Sequence, residues 1–143
     1  MEIYKGTATF SGIAIGKILY YSRGEYQIRQ CLVSNIKKEI SDFQEARLQA
    51  VHKLHELYEA SRLLNEQEAR VFLRQIKLLE SESYQNAIES SIAHEKVNAA
   101  YAVMINRDEL VETFRHLEEP VIRRRIIDMQ EISNRLIQIL GGA

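Results

Sequence analysis

The chain has 143 residues, of which 45% are hydrophobic and 27% are charged, a composition typical of one globular domain with a solvated surface. Its formal net charge of −1 gives no bulk attraction to nucleic acid or to an anionic membrane. A single cysteine excludes an internal disulfide and suits a reducing cytosol, so we expect a cytoplasmic protein. The sequence has no apolar run of the roughly 20 residues that a membrane span needs. We expect no signal peptide, because a basic start followed by an apolar stretch is missing.

Two runs rich in β-branched and aromatic residues open the chain, at residues 3–10 and 14–21. Ser11-Gly12 between them is a pair typical of a turn. Residues 26–33 form a connector of weak extended character. Because no further strand is predicted for these runs to join, a hairpin of the two would be marginal by itself in water. We expect residues 1–21 to belong to a separate α/β domain, and otherwise to be poorly ordered, folded back on the helices or paired with another chain.

Apolar residues recur at three- and four-residue steps after residue 34, which predicts helices. The first helical stripe includes Phe43 and Leu54 as core residues and continues to Leu64. The predicted starts of the five helices are Ser34, Asn65, Ser81, Asn98 and Pro120. The sequence therefore predicts a mainly α protein, an antiparallel helical bundle over residues 34–143 with two short N-terminal β-strands.

Few residues form a pattern typical of a catalytic, metal-binding or anion-binding site. His52 and His55 lie three apart on the first helix and could hold a metal, but no third and fourth ligands follow, so we expect a solvated face. Cys31 has no partner histidine and is expected to be a small semi-buried residue. The run Arg123-Arg124-Arg125 could bind an anion, although a solvated helix face is the default. The residues alone thus indicate a helical interaction module with no metal or catalytic site.

Four features together resemble Enzyme I, the phosphoenolpyruvate–protein phosphotransferase that starts the bacterial sugar phosphotransferase system. Residues 11–17, Ser-Gly-Ile-Ala-Ile-Gly-Lys, are similar to the family's opening SPGIAxGKA without its proline. The long helix after Ser34 is the second feature. Residues 72–82 look like the family's FxAHxxxLxDxE, and residues 125–136 are similar to RxxDVRDIxxRLL. The resemblance spans nearly the whole chain.

The resemblance implies that the chain docks the phosphocarrier HPr, because this region of the family is its HPr-binding helical domain. It places the phosphorylated histidine in a following α/β domain. The phosphoenolpyruvate and magnesium site, and the contacts of a homodimer, lie in a C-terminal barrel. The chain alone would then hold no cofactor or metal, be inactive, and contact neither nucleic acid nor membrane. The implied HPr-binding residues are Glu66, Glu68, Phe72, Gln75, Leu78, Leu79, Glu82 and Arg125.

Three positions depart from the family pattern. Gln75 stands where many members have a docking histidine, Ser81 replaces an aspartate, and Gln130 replaces an arginine. These departures leave open a divergent paralogue, such as a nitrogen-related or dihydroxyacetone-kinase phosphotransferase protein, that binds another HPr-like carrier. A helical dimerisation scaffold built on the first helix is a further alternative, although the stripe's period near 3.6 residues favours an intramolecular core.

Overall fold

A computed structural model describes residues 19–20, 27–28 and 30–141. Strand β1 (Leu19–Tyr20) pairs antiparallel with strand β2 (Gln27–Ile28). β1 lies within the second predicted strand, whereas β2 lies in the stretch that we expected to be only a weakly extended connector. The predicted strand at residues 3–10 lies outside the described residues, so the expectations for residues 1–21 stay predictions.

Five helices account for most of residues 30–141. They are α1 (Ile36–Arg62), α2 (Glu66–Glu80), α3 (Glu82–Glu95), α4 (Ala99–Phe114) and α5 (Pro120–Leu140). α1 is about 40 Å long at 1.5 Å per residue and packs against each of the other four helices, while α5 also packs against α2 and α4. The predicted mainly α bundle is confirmed. None of the described helices combines the length and the apolar character needed to cross a membrane.

The helices enclose an apolar core to which all five contribute. Phe43 and Leu54, which the sequence predicts as core residues, have no exposed surface. The buried side chains of α1 are Phe43, Ala46, Ala50, Val51 and Leu54. Because the other helices cover this stripe, the apolar face that a coiled-coil scaffold would need is already used inside the bundle.

Three predicted helix starts are confirmed. Asn65 accepts a hydrogen bond through its side chain from the backbone N–H of Glu68 (3.1 Å), and Ser81 accepts one from the N–H of Tyr84 (3.2 Å). Pro120 begins α5, where its fixed φ angle and missing N–H cost nothing. These starts follow from local chemistry alone.

Two details of α1 differ from the predictions. The prediction of Ser34 as its cap is wrong by one residue, because the Asn35 side chain accepts a hydrogen bond from the N–H of Lys38 at 3.0 Å. The prediction that the apolar stripe continues to Leu64 is also wrong. The helix ends at Arg62, and Leu64 is 90% exposed in the short turn to α2.

The start of α4 is capped from another part of the chain. Asn98 precedes the helix as predicted, but its Oδ1 accepts a hydrogen bond from the backbone N–H of Cys31 at 2.8 Å instead of capping α4. Glu39 of α1 takes over the capping, because its Oε1 accepts a hydrogen bond from the N–H of Ala99 at 2.8 Å. Cys31 is exposed, so the expectation of a semi-buried cysteine is wrong.

Candidate functional site

A cleft of about 830 Å³ lies between the α2–α3 junction, the middle of α4 and the first half of α5. Ser81 alone separates α2 from α3, and its extended backbone (ψ 139°) interrupts the helix there. Apolar side chains line part of the cleft, including the half-buried Leu78, Leu110 and Ile122 and the buried Met129. The break between α2 and α3 therefore opens a partly apolar depression.

A polar network joins α2 to α5 along one wall of the cleft. Asp128 accepts hydrogen bonds from Arg74 Nε (3.0 Å) and from Gln75 Nε2 (3.3 Å). Gln75 Nε2 also donates to Glu131 Oε1 at 2.6 Å. Gln75 and Asp128 are 2% and 3% exposed, so each needs hydrogen-bond partners within the protein. The network holds the two helices together where both contribute to the cleft.

The cleft carries an excess of positive charge. Arg74, Lys77, Arg124 and Arg125 line it, and Asp128 is the one carboxylate among its described lining residues. Asp128 pairs with Arg74. Within residues 30–141 no carboxylate forms an ion pair with Lys77, Arg124 or Arg125. Three exposed cations therefore line the cleft without a carboxylate of the described residues within ion-pair distance.

Tyr84 also contributes to the cleft lining and is 7% exposed. Its ring packs against Phe43 with the ring centroids 6.3 Å apart. Burial raises the pKa of the Tyr84 hydroxyl well above its usual 10.0, and the Ser133 hydroxyl lowers it by a smaller amount. Tyr84 is therefore neutral at physiological pH and acts as a packing residue rather than as an acid or base.

The eight residues implied by the resemblance fall into three groups by exposure. Glu66, Glu68, Glu82 and Arg125 are exposed, Phe72 and Leu78 are half-buried, and Gln75 and Leu79 are buried. Leu78 and Arg125 line the cleft, and Glu82 lies between Ser81 and Ser83, which also line it. A direct contact of a partner with Gln75 or Leu79 does not fit the structure, because Leu79 belongs to the core and Gln75 to the network with Asp128.

Other residues of the cleft are not predicted from the sequence. Arg74 and Lys77 lie within residues 72–82, and Asp128 matches the first aspartate of RxxDVRDIxxRLL. Neither motif predicts the ion pair of Arg74 with Asp128, which joins positions 54 residues apart. Of the three-arginine run, Arg124 and Arg125 line the cleft and Arg123 does not. Besides the resemblance, which implies Leu78 and Arg125, the sequence signal for the cleft is that run of arginines.

The two histidines of α1 lie on a solvated face, as expected. Both are exposed, and His52 Nε2 lies 3.1 Å from Glu56 Oε2 on the next turn. The described residues contain no cluster of three or more histidine, cysteine, aspartate or glutamate side chains arranged to hold a metal.

Comparison with known proteins shows that the sequence is similar to the N-terminal part of enzymes that use phosphoenolpyruvate. A family model described as PEP-utilising enzyme, N-terminal, matches residues 5–125. The phosphoenolpyruvate-protein phosphotransferase of Mycoplasma capricolum is 27% identical over 139 residues, which cover 96% of this chain and 24% of that protein. The protein of the same name from Borreliella burgdorferi is 26% identical over 141 residues, covering 96% of this chain and 25% of the relative. The chain thus spans about a quarter of the length of these curated relatives.

A solved structure shares the fold. The solution structure of an Enzyme I protein (nEIt) superimposes with a TM-score of 0.75 at 22% sequence identity. The match covers 80% of this chain and 48% of that one. At this level of identity the likeness establishes the helical fold.

Proposed function

The chain belongs to the family of PEP-utilising enzyme N-terminal regions, and on that premise we propose that it docks an HPr-like phosphocarrier for a phosphoenolpyruvate–protein phosphotransferase. The module holds the carrier while phosphoryl passes to it from phosphoenolpyruvate, for use in sugar uptake. The phosphorylated histidine and the magnesium site belong to other parts of such an enzyme.

The observation that best supports this proposal is the surface formed by α2, the start of α3 and the start of α5. We name this the docking surface, and its members are Glu66, Glu68, Phe72, Leu78, Glu82 and Arg125. Protein interfaces combine an apolar centre with a polar, charged rim, and charges at the rim select and orient the partner. Leu78 is half-buried at the cleft, and the exposed carboxylates of Glu66, Glu68 and Glu82 supply such a rim.

The alternatives differ in how well the structure supports them. A divergent paralogue that serves another HPr-like carrier would use the same docking surface. Gln75, which stands where many members have a docking histidine, is buried and joins α2 to α5 through its hydrogen bonds to Asp128 and Glu131. A dimerisation scaffold built on α1 has less support, because the apolar stripe of α1 is packed inside the bundle.

The proposal is tested by measuring the affinity of the purified chain for the HPr-like carrier of the same organism by titration calorimetry. Leu78→Ala should weaken binding about tenfold, a typical loss for an apolar residue near the centre of an interface. The matched control is Leu48→Ala on α1, where the leucine is 58% exposed and outside the docking surface. Circular dichroism checks that both variants stay folded. No binding at millimolar carrier, or equal affinities for the two variants, would contradict the proposal.

The proposal also assigns no phosphoryl chemistry and no cofactor to the chain itself. Incubation of residues 1–143 with radiolabelled phosphoenolpyruvate and magnesium should leave the protein unlabelled. A stable label on a histidine would show that this chain carries out part of the reaction.

A further inference from the structure

We propose that the cleft also binds a small organic phosphate, a phosphate monoester with an apolar body, and that this ligand competes with the carrier. The site consists of Lys77, Arg124 and Arg125 together with the apolar side chains of the cleft. The competition rests on the proposed docking function, whereas binding of the phosphate does not. The ligand would thus regulate the docking surface.

The cations of the cleft come from two of its walls. Lys77 lies on α2, and Arg124 and Arg125 lie on α5. All three are exposed, and within residues 30–141 no carboxylate lies within ion-pair distance of them. Asp128 lines the cleft as well, but it is paired with Arg74 at 3.0 Å. An anion between the two walls is therefore attracted by both helices.

The kind and number of these cations favour a phosphate monoester. A guanidinium group presents its N–H donors in a planar fork that matches pairs of phosphate or carboxylate oxygens, and a lysine adds a point charge. A phosphate monoester carries a charge of about −1.5 to −2 at neutral pH, because its second proton is lost near pH 6. A monocarboxylate carries only a single negative charge. Two arginines and one lysine therefore compensate the phosphate monoester more completely than they need to compensate a carboxylate.

The apolar lining distinguishes an organic phosphate from inorganic phosphate. Leu78, Leu110 and Ile122 are half-buried in the cleft, and Val121, which also lines it, is 60% exposed. Inorganic phosphate would leave this apolar surface in water, whereas the apolar body of an ester would cover it. Small-molecule pockets have volumes of about 300–1,000 Å³ and combine an apolar lining with a few convergent polar groups. The cleft, at about 830 Å³, has that size and that combination.

Two residues connect this site to docking. Leu78 and Arg125 line the cleft and belong to the docking surface. A ligand whose apolar body covers Leu78 and whose phosphate contacts Arg125 occupies surface that the carrier would bury. The ligand and the carrier would therefore exclude each other, and the ligand concentration would set the fraction of the chain that is free to dock.

Phenyl phosphate tests the site, because it joins a phosphate monoester to a small apolar ring. We expect it to shift the backbone amide signals of residues 77–83 and 121–125 in the isotope-labelled chain. It should bind about tenfold more tightly than inorganic phosphate, because its ring covers apolar surface. Benzoate, which has the same ring and a single carboxylate, should also bind more weakly than phenyl phosphate.

Two double variants test the role of the cations. In K77A/R124A, affinity for phenyl phosphate should fall about tenfold, because two charged donors are removed. The matched control K37A/R123A removes two exposed cations that do not line the cleft. Its affinity should stay within about twofold of the unmodified chain. Thermal unfolding by circular dichroism confirms that each variant folds, and the single variants R124A and R123A repeat the comparison if a double variant does not.

Competition is measured by titration calorimetry with the carrier of the same organism. Phenyl phosphate at about ten times its dissociation constant should lower the apparent affinity of the carrier about tenfold. Inorganic phosphate at the same ionic strength is the matched control for screening of exposed charges, and its effect should be smaller.

Each result has a distinct meaning. If phenyl phosphate does not bind, or binds K77A/R124A as tightly as the unmodified chain, the inference is wrong and the docking function is unaffected. If phenyl phosphate binds as expected but leaves the carrier's affinity unchanged or raises it, the competition is wrong. If the chain binds no carrier at all, the docking function and the competition fail, and the titrations with phenyl phosphate still decide whether the cleft binds a phosphate monoester.

Discussion

Asp128 links α5 to α2 at one wall of the cleft. Its carboxylate accepts hydrogen bonds from Arg74 (3.0 Å) and from Gln75 (3.3 Å), and it is 3% exposed. Replacing Asp128 by alanine removes its two hydrogen bonds to α2 and leaves the bond between Gln75 and Glu131. We expect Asp128→Ala to lower the free energy of unfolding, and to weaken carrier binding because one wall of the cleft loses its link to α2.

The structure limits how far Asp128→Ala can lower the free energy of unfolding. The Arg74 side chain is 42% exposed and can return to water, so the 3–5 kcal/mol typical of breaking a fully buried ion pair does not apply. Gln75 keeps its hydrogen bond to Glu131 at 2.6 Å. The variant loses about 1 kcal/mol of stability for each hydrogen bond. Part of this loss is offset, because alanine no longer carries the desolvation cost of a buried carboxylate. We expect a net loss of about 1–2 kcal/mol for Asp128→Ala.

Urea unfolding followed by circular dichroism measures this change, with Asp128→Asn as the matched control. The asparagine keeps the shape and one acceptor oxygen, which can serve Arg74 Nε or Gln75 Nε2 but not both. It should therefore lose about 1 kcal/mol, less than alanine. A loss above about 4 kcal/mol for alanine would mean that buried donors are left unsatisfied. A loss below about 0.5 kcal/mol would mean that the network does not hold α2 to α5.

Other features of the bundle give independent expectations. Leu54→Ala should cost about 2–5 kcal/mol in urea unfolding because Leu54 is fully buried, whereas the exposed Leu48→Ala should cost about 0.5 kcal/mol or less; equal costs would refute the core assignment. Glu39→Ala should cost about 1 kcal/mol by removing the acceptor for the N–H of Ala99, and Glu39→Gln, which keeps an acceptor, should recover much of it. Tyr84 resists ionisation only when folded, so its stabilising effect is complete below its unfolded pKa of 10.0 and is lost as pH rises above it. Above that pKa, the free energy of unfolding of Tyr84→Phe should rise relative to that of the unmodified chain by about 1.4 kcal/mol per pH unit. Identical alkaline unfolding curves for the two proteins would contradict this.

Local chemistry explains which parts of the fold are predictable from sequence. The caps at Asn65 and Ser81 depend on side chains that bond the backbone three residues ahead, so short-range patterns identify them. The errors at the ends of α1 have the same local origin. Ser34 and Asn35 are both good caps, and Leu64 fits the apolar period although the chain has already turned at Arg62.

The cleft depends on contacts that no local pattern encodes. Gln75 is separated from Asp128 and Glu131 by 53 and 56 residues, and only the packing of α2 on α5 brings them together. The same packing gathers Lys77 with Arg124 around one cavity. For Asn98, the local pattern predicts a cap but long-range structure redirects its side chain to Cys31 and leaves Glu39 to cap α4.

Docking of an HPr-like carrier is tested most directly by following the backbone amide signals of the isotope-labelled chain while the carrier of the same organism is added. If the carrier docks, signals of residues 75–82 and of Arg124 and Arg125 should shift progressively and saturate, because these residues lie in or beside the cleft. The exposed turn at Leu63 and Leu64 should change little. No shift in residues 75–82 at millimolar carrier, or shifts confined to that turn, would mean that the carrier does not dock at this surface.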